Sequence, residues 1–291
     1  MGENEAVEKK DEDDAETKAS EKTELKPEKT KKQENKKTAT INKTMEMTVK
    51  CKILRSIVEA VNTLSTEMMV NVKPTGWNTI QVDQAHVAMA IIDLDQKACE
   101  SYSADEMQLG IDLEKFYDVL RLAKGDSLVS LTYSDEENCL FIQFDNLRRR
   151  MGLIDTNSFA VPKVPNLSHT VEATITSSEI ALGLKASEQV SDHFAFLADK
   201  EKFVMTTDAD VDMVELKWFM GKDECLTRLG VTKDAKSMYS IDFIKNELKV
   251  AASDTPVTVK YAEDNPMVME YSLEDGGLRL KYLTAPRIES D

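Results

Sequence analysis

The sequence predicts an α+β protein built from two similar domains, each with two helices packed on antiparallel sheet. Three observations carry that reading. Period-2 alternation and β-branched residues dominate the chain, broken by only a few stretches at helical spacing. The order strand, helix, several strands, helix, three strands occurs twice, a period long enough to be a domain duplication. Finally, Gly110-Ile-Asp-Leu-Glu-Lys-Phe116 matches Ser240-Ile-Asp-Phe-Ile-Lys-Asn246. Each of these opens a helix that runs into a strand pair joined by an acidic turn, Ser134-Asp-Glu-Glu137 or Ala262-Glu-Asp-Asn265.

The elements follow in order. Residues 47–50 alternate as a strand, and Ile53, Leu54, Ile57, Val58, Val61 and Leu64 then recur on one helical face. Strands are expected near 68–73, 77–83, 87–93 and 107–111. Leu113, Phe116, Tyr117, Leu120 and Ala123 mark the second helix, and strands near 127–133, 139–144 and 147–154 close the first half. Residues 155–170 break the pattern with Pro162, Pro165 and several turn formers, which read as an extended connector. The second half restarts with a strand at 171–175 and a helix through Ile180 and Leu184, capped by Ser177 or Ser178. Strands near 193–198, 202–207 and 212–219, a helix through Ile241, Ile244, Leu248 and Ala251, and strands at 256–262, 266–272 and 277–283 complete it.

Composition narrows the function. The 291 residues carry 53 acidic and 37 basic side chains, a net charge of −16, which argues against a globally basic nucleic-acid binder. A local basic patch is not excluded, because binding reads the surface field and not the total. Residues 1–44 hold 12 acidic residues and 11 lysines with almost no large apolar side chain, so they are expected to be a disordered tail with no targeting character. The folded part then spans 45–155, a connector at 156–170, and 171–291. No apolar run is long enough to span a bilayer. Cys51, Cys99, Cys139 and Cys225 are far apart with no CxxC, as expected of free thiols in a reducing compartment.

Chemistry-bearing motifs are lacking. There is no GxGxxG, GxxxxGK[ST] or GxSxG, and His86, His169 and His193 stand apart from one another and from the cysteines. Asp208-Ala-Asp-Val-Asp212 opens like a calcium loop, but Met213 and Phe219 stand where that loop needs Gly and Glu. No metal, cofactor or catalytic constellation is therefore expected. Arg148, Arg149 and Arg150 read in two ways: an exposed strand protected from aggregation, or an edge strand that pairs with an acidic edge of another subunit. Every helix carries basic residues on its non-core side, with Glu59, Glu114, Asp118 and Glu247 interspersed. That is either an ordinary solvated face or, if all helices share one side of the sheets, a phosphate-neutralising surface.

From Met45 to Asp291 the chain resembles DNA sliding clamps of the PCNA type in their archaeal form. The residues that carry the resemblance are Ile53-Leu-Arg-Ser-Ile-Val-Glu-Ala-Val61, Val82-Asp-Gln-Ala-His-Val87, Leu153-Ile-Asp155, Pro162-Lys-Val-Pro-Asn-Leu167, Val190-Ser-Asp-His193, Pro266-Met-Val-Met-Glu-Tyr271 and Leu283-Thr-Ala-Pro-Arg-Ile288. The resemblance implies a closed homotrimeric ring with helices lining the hole. Double-stranded DNA passes through it without sequence recognition, and the clamp tethers polymerase as a processivity factor without catalysis of its own. It implies DNA-facing residues at Arg55, Arg121, Lys185, Lys245 and Lys249, and less directly at Lys52, Lys115 and Lys124. Asn62, Leu182 and Gln189 stand where some relatives carry basic residues or His. A pocket for short partner motifs (a Gln, an aliphatic residue, two aromatics) is implied at Val82, His86, Phe159, Val161, Pro162, Val164, Pro266, Leu283, Ala285 and Pro286. It would serve polymerase, clamp loader, flap nuclease and ligase. The implied subunit interface joins residues 143–151 to 211–219, with Arg148, Arg149 and Arg150 facing Asp210, Asp212 and Glu215 of the next subunit. A cytoplasmic, nucleoid-associated location follows. Two alternatives remain: one subunit of a heteromeric replicative or checkpoint ring, and an acidic adaptor or hydrolase on a similar scaffold.

Overall fold

The computed structural model describes residues 42–288. The segment expected to be a disordered tail lies outside the described residues, except for its last three. The first half runs β1 (Thr44–Lys50), α1 (Cys51–Val61), β2 (Glu67–Lys73), β3 (Gly76–Val82), β4 (Ala88–Asp95), β5 (Ser101–Ala104), β6 (Met107–Asp112), α2 (Leu113–Leu120), β7 (Leu128–Ser134), β8 (Cys139–Phe144) and β9 (Leu147–Gly152). The second runs β10 (Val171–Thr176), α3 (Ser177–Ser187), β11 (His193–Ala198), β12 (Lys202–Asp208), β13 (Met213–Phe219), β14 (Leu226–Val231), β15 (Ala235–Ser240), α4 (Ile241–Glu247), β16 (Pro256–Tyr261), β17 (Met267–Leu273) and β18 (Leu278–Thr284). Three short 3-10 turns are interspersed, of which Thr156–Ser158 opens the connector.

The local patterns explain the elements. In α1, Ile53, Leu54, Ile57, Val58 and Val61 are buried, while Lys52 is exposed and Arg55 and Glu59 are half-buried. Burying each of those aliphatic side chains contributes about 1.5–3 kcal/mol. A missing side-chain cap costs only about 1 kcal/mol, so α1 and α3 form without one. The expected Ser177 or Ser178 cap is not made: Thr176 holds the cap position, and the Ser177 hydroxyl donates to the carbonyl of Ala252. In α2 the cap is real, with Asp112 accepting from the Lys115 amide at 3.0 Å.

The duplication extends to the ladders. In the first half β1 pairs with β5 and β7, β8 with β7 and β9, and β2 with β3 and β6, while β3 also pairs with β4. In the second half β10, β14, β16, β17, β18, β11, β12, β13 and β15 repeat the same scheme. One ladder joins the halves: β18 pairs antiparallel with β4, from Leu278 opposite Leu94 to Thr284 opposite Ala88. The result is a nine-stranded sheet running through both halves, flanked by a five-stranded sheet ending on β9 and a four-stranded sheet ending on β13. β5, β14 and β15 were not expected from the sequence. Among the described residues, no helix is long and apolar enough to cross a membrane.

Candidate partner pocket and nucleic-acid interface

A groove of 810 Å³ opens where the connector passes over the seam between β4 and β18. Its shape is held by three devices. The loop after β3 is folded by Asp83, whose carboxylate accepts from the amides of Val87 at 2.8 Å, Ala88 at 2.7 Å and Ala85 at 3.0 Å. That loop includes His86 in the left-handed region at φ 57°. The start of the connector docks on β6, with the Ile154 amide donating to the Gly110 carbonyl at 2.8 Å. Only glycine fits there, because a Cβ on residue 110 would lie 2.4 Å from the Ile154 oxygen. The C-terminal segment forms the remaining wall. The Ala285 amide donates to Val87, the Arg287 amide donates to Met238, and the Arg287 guanidinium meets Asp192 at 2.6 Å. The guanidinium and His193 beside Asp192 hold its carboxyl down at about 2.

Val82, His86, Phe159, Val161, Pro162, Pro266, Leu283 and Ala285 line this groove; Val164 and Pro286 lie outside the lining. Ser65, Glu67, Gln81, Asp83, Gln84, Val87, Met89 and Pro165 also line it. These were not among the residues expected at the pocket, although Asp83, Gln84 and Val87 belong to the Val82–Val87 motif. Val161 is 74% exposed, so an apolar side chain stands ready at the rim with nothing covering it. An apolar groove with a polar rim suits the aromatic and aliphatic anchors of an extended peptide.

Among the described residues, β9 and β13 are unpaired along their outer edges. Arg148 and Arg150 point from the exposed side of β9, the former over the Phe141 ring at 4.6 Å and the latter paired with Glu137 at 2.9 Å. Arg149 is half-buried on the opposite side. On β13, Glu215 is exposed and pairs with Lys217, and Asp210 and Asp212 lie in the preceding turn, where the Ala209 amide donates to Asp212. Among the described residues no group of three or more His, Cys, Asp or Glu could hold a metal.

The basic residues on the helices are unequally engaged. Lys52 pairs with Glu274 at 2.8 Å, Lys115 with Asp112 at 2.7 Å and Lys245 with Glu188. Arg121 lies 3.9 Å from Asp118. Arg55 donates from Nε and Nη2 to the Leu120 carbonyl at 3.1 and 2.7 Å, and from Nη2 also to Ala123. Its charge thus satisfies the C-terminal carbonyls of α2, where a cation is favoured. Lys124, Lys185 and Lys249 have no acidic partner among the described residues.

The duplicated ladders, with two helices in each half, define the DNA-clamp class of fold. Residues 44–160 match the proliferating cell nuclear antigen N-terminal domain, and residues 163–287 match its C-terminal domain. The chain belongs to the proliferating cell nuclear antigen family of DNA sliding clamps. It is 31% identical over 245 residues to the DNA polymerase sliding clamp of Methanosarcina mazei, spanning 84% of this chain and 98% of that protein. Identity to the Archaeoglobus fulgidus clamp is 29% over 241 residues, 82% of this chain and 96% of the relative. Among solved structures, a chain of the complex of A. fulgidus PCNA with the C-terminal region of FEN-1 aligns with a TM-score of 0.80. It is 27% identical, and the match covers 85% of this chain and 100% of that one. PCNA from Thermococcus kodakaraensis aligns at 0.78 and 24% identity, over 84% and 100%.

Proposed function

We propose that this chain closes as a homotrimer around duplex DNA and tethers the replicative polymerase and other DNA-processing enzymes, without catalysis of its own. Two clamp domains, near 45–155 and 171–291, and the connector between them form each subunit. The observation that carries the ring is the pair of free edges. By the repeat, β9 is the counterpart of β18 and β13 the counterpart of β4, and β18 and β4 are already paired within the chain. Transferring that register sets Arg148 opposite Glu215, Leu147 opposite Leu216, Arg149 opposite Val214 and Arg150 opposite Met213 of the next subunit. The faces agree: the half-buried residues oppose half-buried ones, and exposed Arg148 opposes exposed Glu215. A head-to-tail contact of this kind must close by rotation or grow into filaments. The expected mass by light scattering is three copies of the 32.7 kDa chain. A monomer at micromolar concentration overturns the homotrimer and favours a heteromeric ring.

Arg55, Arg121, Lys185, Lys245 and Lys249, with Lys52, Lys115 and Lys124, supply the DNA-facing charge in this reading, through loose contacts to phosphate that permit sliding. The groove receives short peptide motifs of polymerase, clamp loader, flap nuclease and ligase, and the site of action is the cytoplasm at the nucleoid. Val161→Asp puts a charge on the apolar rim at an exposed position. It is expected to weaken a Gln-aliphatic-aromatic-aromatic peptide by about fivefold or more in fluorescence polarisation, with no change in melting temperature. Equal affinity would move the peptide elsewhere.

A further inference from the structure

We infer that the two helix pairs are unequal towards DNA: the α3/α4 pair takes up phosphate strongly, while Glu59 weakens the hold of the α1/α2 pair on it. This deepens the DNA-bore reading above and rests on it. Cys51 and Ser177 open the first helix of each half, and Leu113 and Ile241 open the second. Aligned on those helix starts, which shift the Gly110–Ser240 sequence match by two residues, Glu59 corresponds to Lys185, Tyr117 to Lys245, Arg121 to Lys249 and Arg55 to Ala181.

In the first half, the Tyr117 hydroxyl donates to Glu59 Oε1 at 2.5 Å and bridges α1 to α2. A carboxylate therefore occupies the crossing of the two helices. Four of the surrounding cations are already engaged, with Arg55 on the α2 carbonyls, Lys115 on Asp112, Lys52 on Glu274 and Arg121 facing Asp118, which leaves Lys124, beyond the end of α2, without an acidic partner among the described residues. Glu114 and Asp118 add further negative charge on α2. In the second half the same crossing holds two lysines, Lys185 and Lys245, with Lys249 about one turn on. Of the acids on α3 and α4, Glu179 is occupied by the Trp218 indole at 2.8 Å and Glu247 is buried. Glu188 takes Lys245, and Asp242 stands in the first turn of α4. Lys185 and Lys249 keep their charge for an approaching phosphate. Counterion release then makes those two side chains dominate the salt-sensitive part of binding.

The test uses the full-length protein and a fluorescein-labelled linear duplex at low ionic strength, read by anisotropy, with ring mass checked by light scattering. Lys185→Glu with Lys249→Glu is expected to weaken binding about tenfold or more, and Arg121→Glu with Lys124→Glu less than about threefold. Glu59→Gln keeps the Tyr117 hydrogen bond, removes the charge and is expected to tighten binding about twofold or more. Equal losses from the two double variants, or no gain from Glu59→Gln, overturn the asymmetry. Loss from neither double variant overturns the bore reading as well.

Discussion

Arg148→Glu combined with Arg150→Glu is expected to turn the ring into monomers at concentrations where the parent protein is trimeric. Both side chains are exposed in the single chain, so their reversal leaves the fold of the subunit intact. In the proposed ring Arg148 would face Glu215 and Arg150 would lie next to Asp212, so reversal would convert attraction into like-charge repulsion. A like-charge juxtaposition at an interface costs several kcal/mol, and about 1.4 kcal/mol already shifts assembly tenfold. The loss should deepen at low salt and shrink at high salt, because rim charges are screened over a Debye length of about 8 Å at physiological ionic strength. Adding Glu215→Arg to the double variant restores opposite charges and is expected to recover part of the trimer. Light scattering over a concentration series reads all three proteins. An unchanged trimer in the double variant would remove β9 from the interface.

Glu247→Gln is expected to stabilise the protein at alkaline pH and to have a much smaller effect at pH 5. Glu247 ends α4 at 4% exposure, deep in the second half. One carboxyl oxygen accepts from the Thr284 hydroxyl at 2.5 Å, and the other has no partner. Tyr271 donates to the Glu247 backbone carbonyl at 2.5 Å, and the Tyr282 hydroxyl is buried without a partner. Burial pushes the carboxyl up to about 8 against the opposing effect of the Thr284 bond. In the unfolded chain the same group titrates near 4.3. Between those values the folded protein holds a proton that the unfolded chain has released, so stability falls as pH rises. The slope approaches about 1.4 kcal/mol per unit and levels above about pH 8. Glutamine keeps an acceptor for Thr284 and removes the titration. Melting curves at pH 5, 7 and 9 should diverge from the parent by about 5 °C or more at the alkaline end. Parallel curves across that range would sink the assignment. The position does not need an acid for packing, since its counterpart in the first half is the fully buried Val119.

The helices and most strands were legible because their apolar residues keep one period. Ile53 to Val61 and the alternating Met45, Met47 and Val49 report burial directly. The strands that escaped notice lack that signal. β5 is only Ser-Tyr-Ser-Ala at a sheet edge, and most of β14 is exposed or half-buried. In β15 the buried positions are Ala235, Ser237 and Tyr239, so alternation is present in burial yet hidden in side-chain type. The groove was readable where apolar residues sit in the proline-containing connector. It was unreadable at Ser65 and Glu67, which ordinary packing of β2 brings to the rim. Spacing set Arg55 on a helix surface, but only the fold brings the end of α2 within reach of its guanidinium.

The nine-stranded sheet carries a mechanical consequence. In the proposed ring the strand addition made between β18 and β4 inside each chain would recur between chains at β9 and β13, giving two kinds of joint. At the inner joint the partners are covalently linked by the connector, so the two strands meet at the millimolar effective concentration typical of short tethers. At the outer joint they meet only at the concentration of free subunits. Dilution parts the outer joint and leaves the inner one shut. Any machine that pries the ring apart will therefore meet least resistance at the outer joint, while a peptide lodged in the groove braces a joint that needs no help to stay closed.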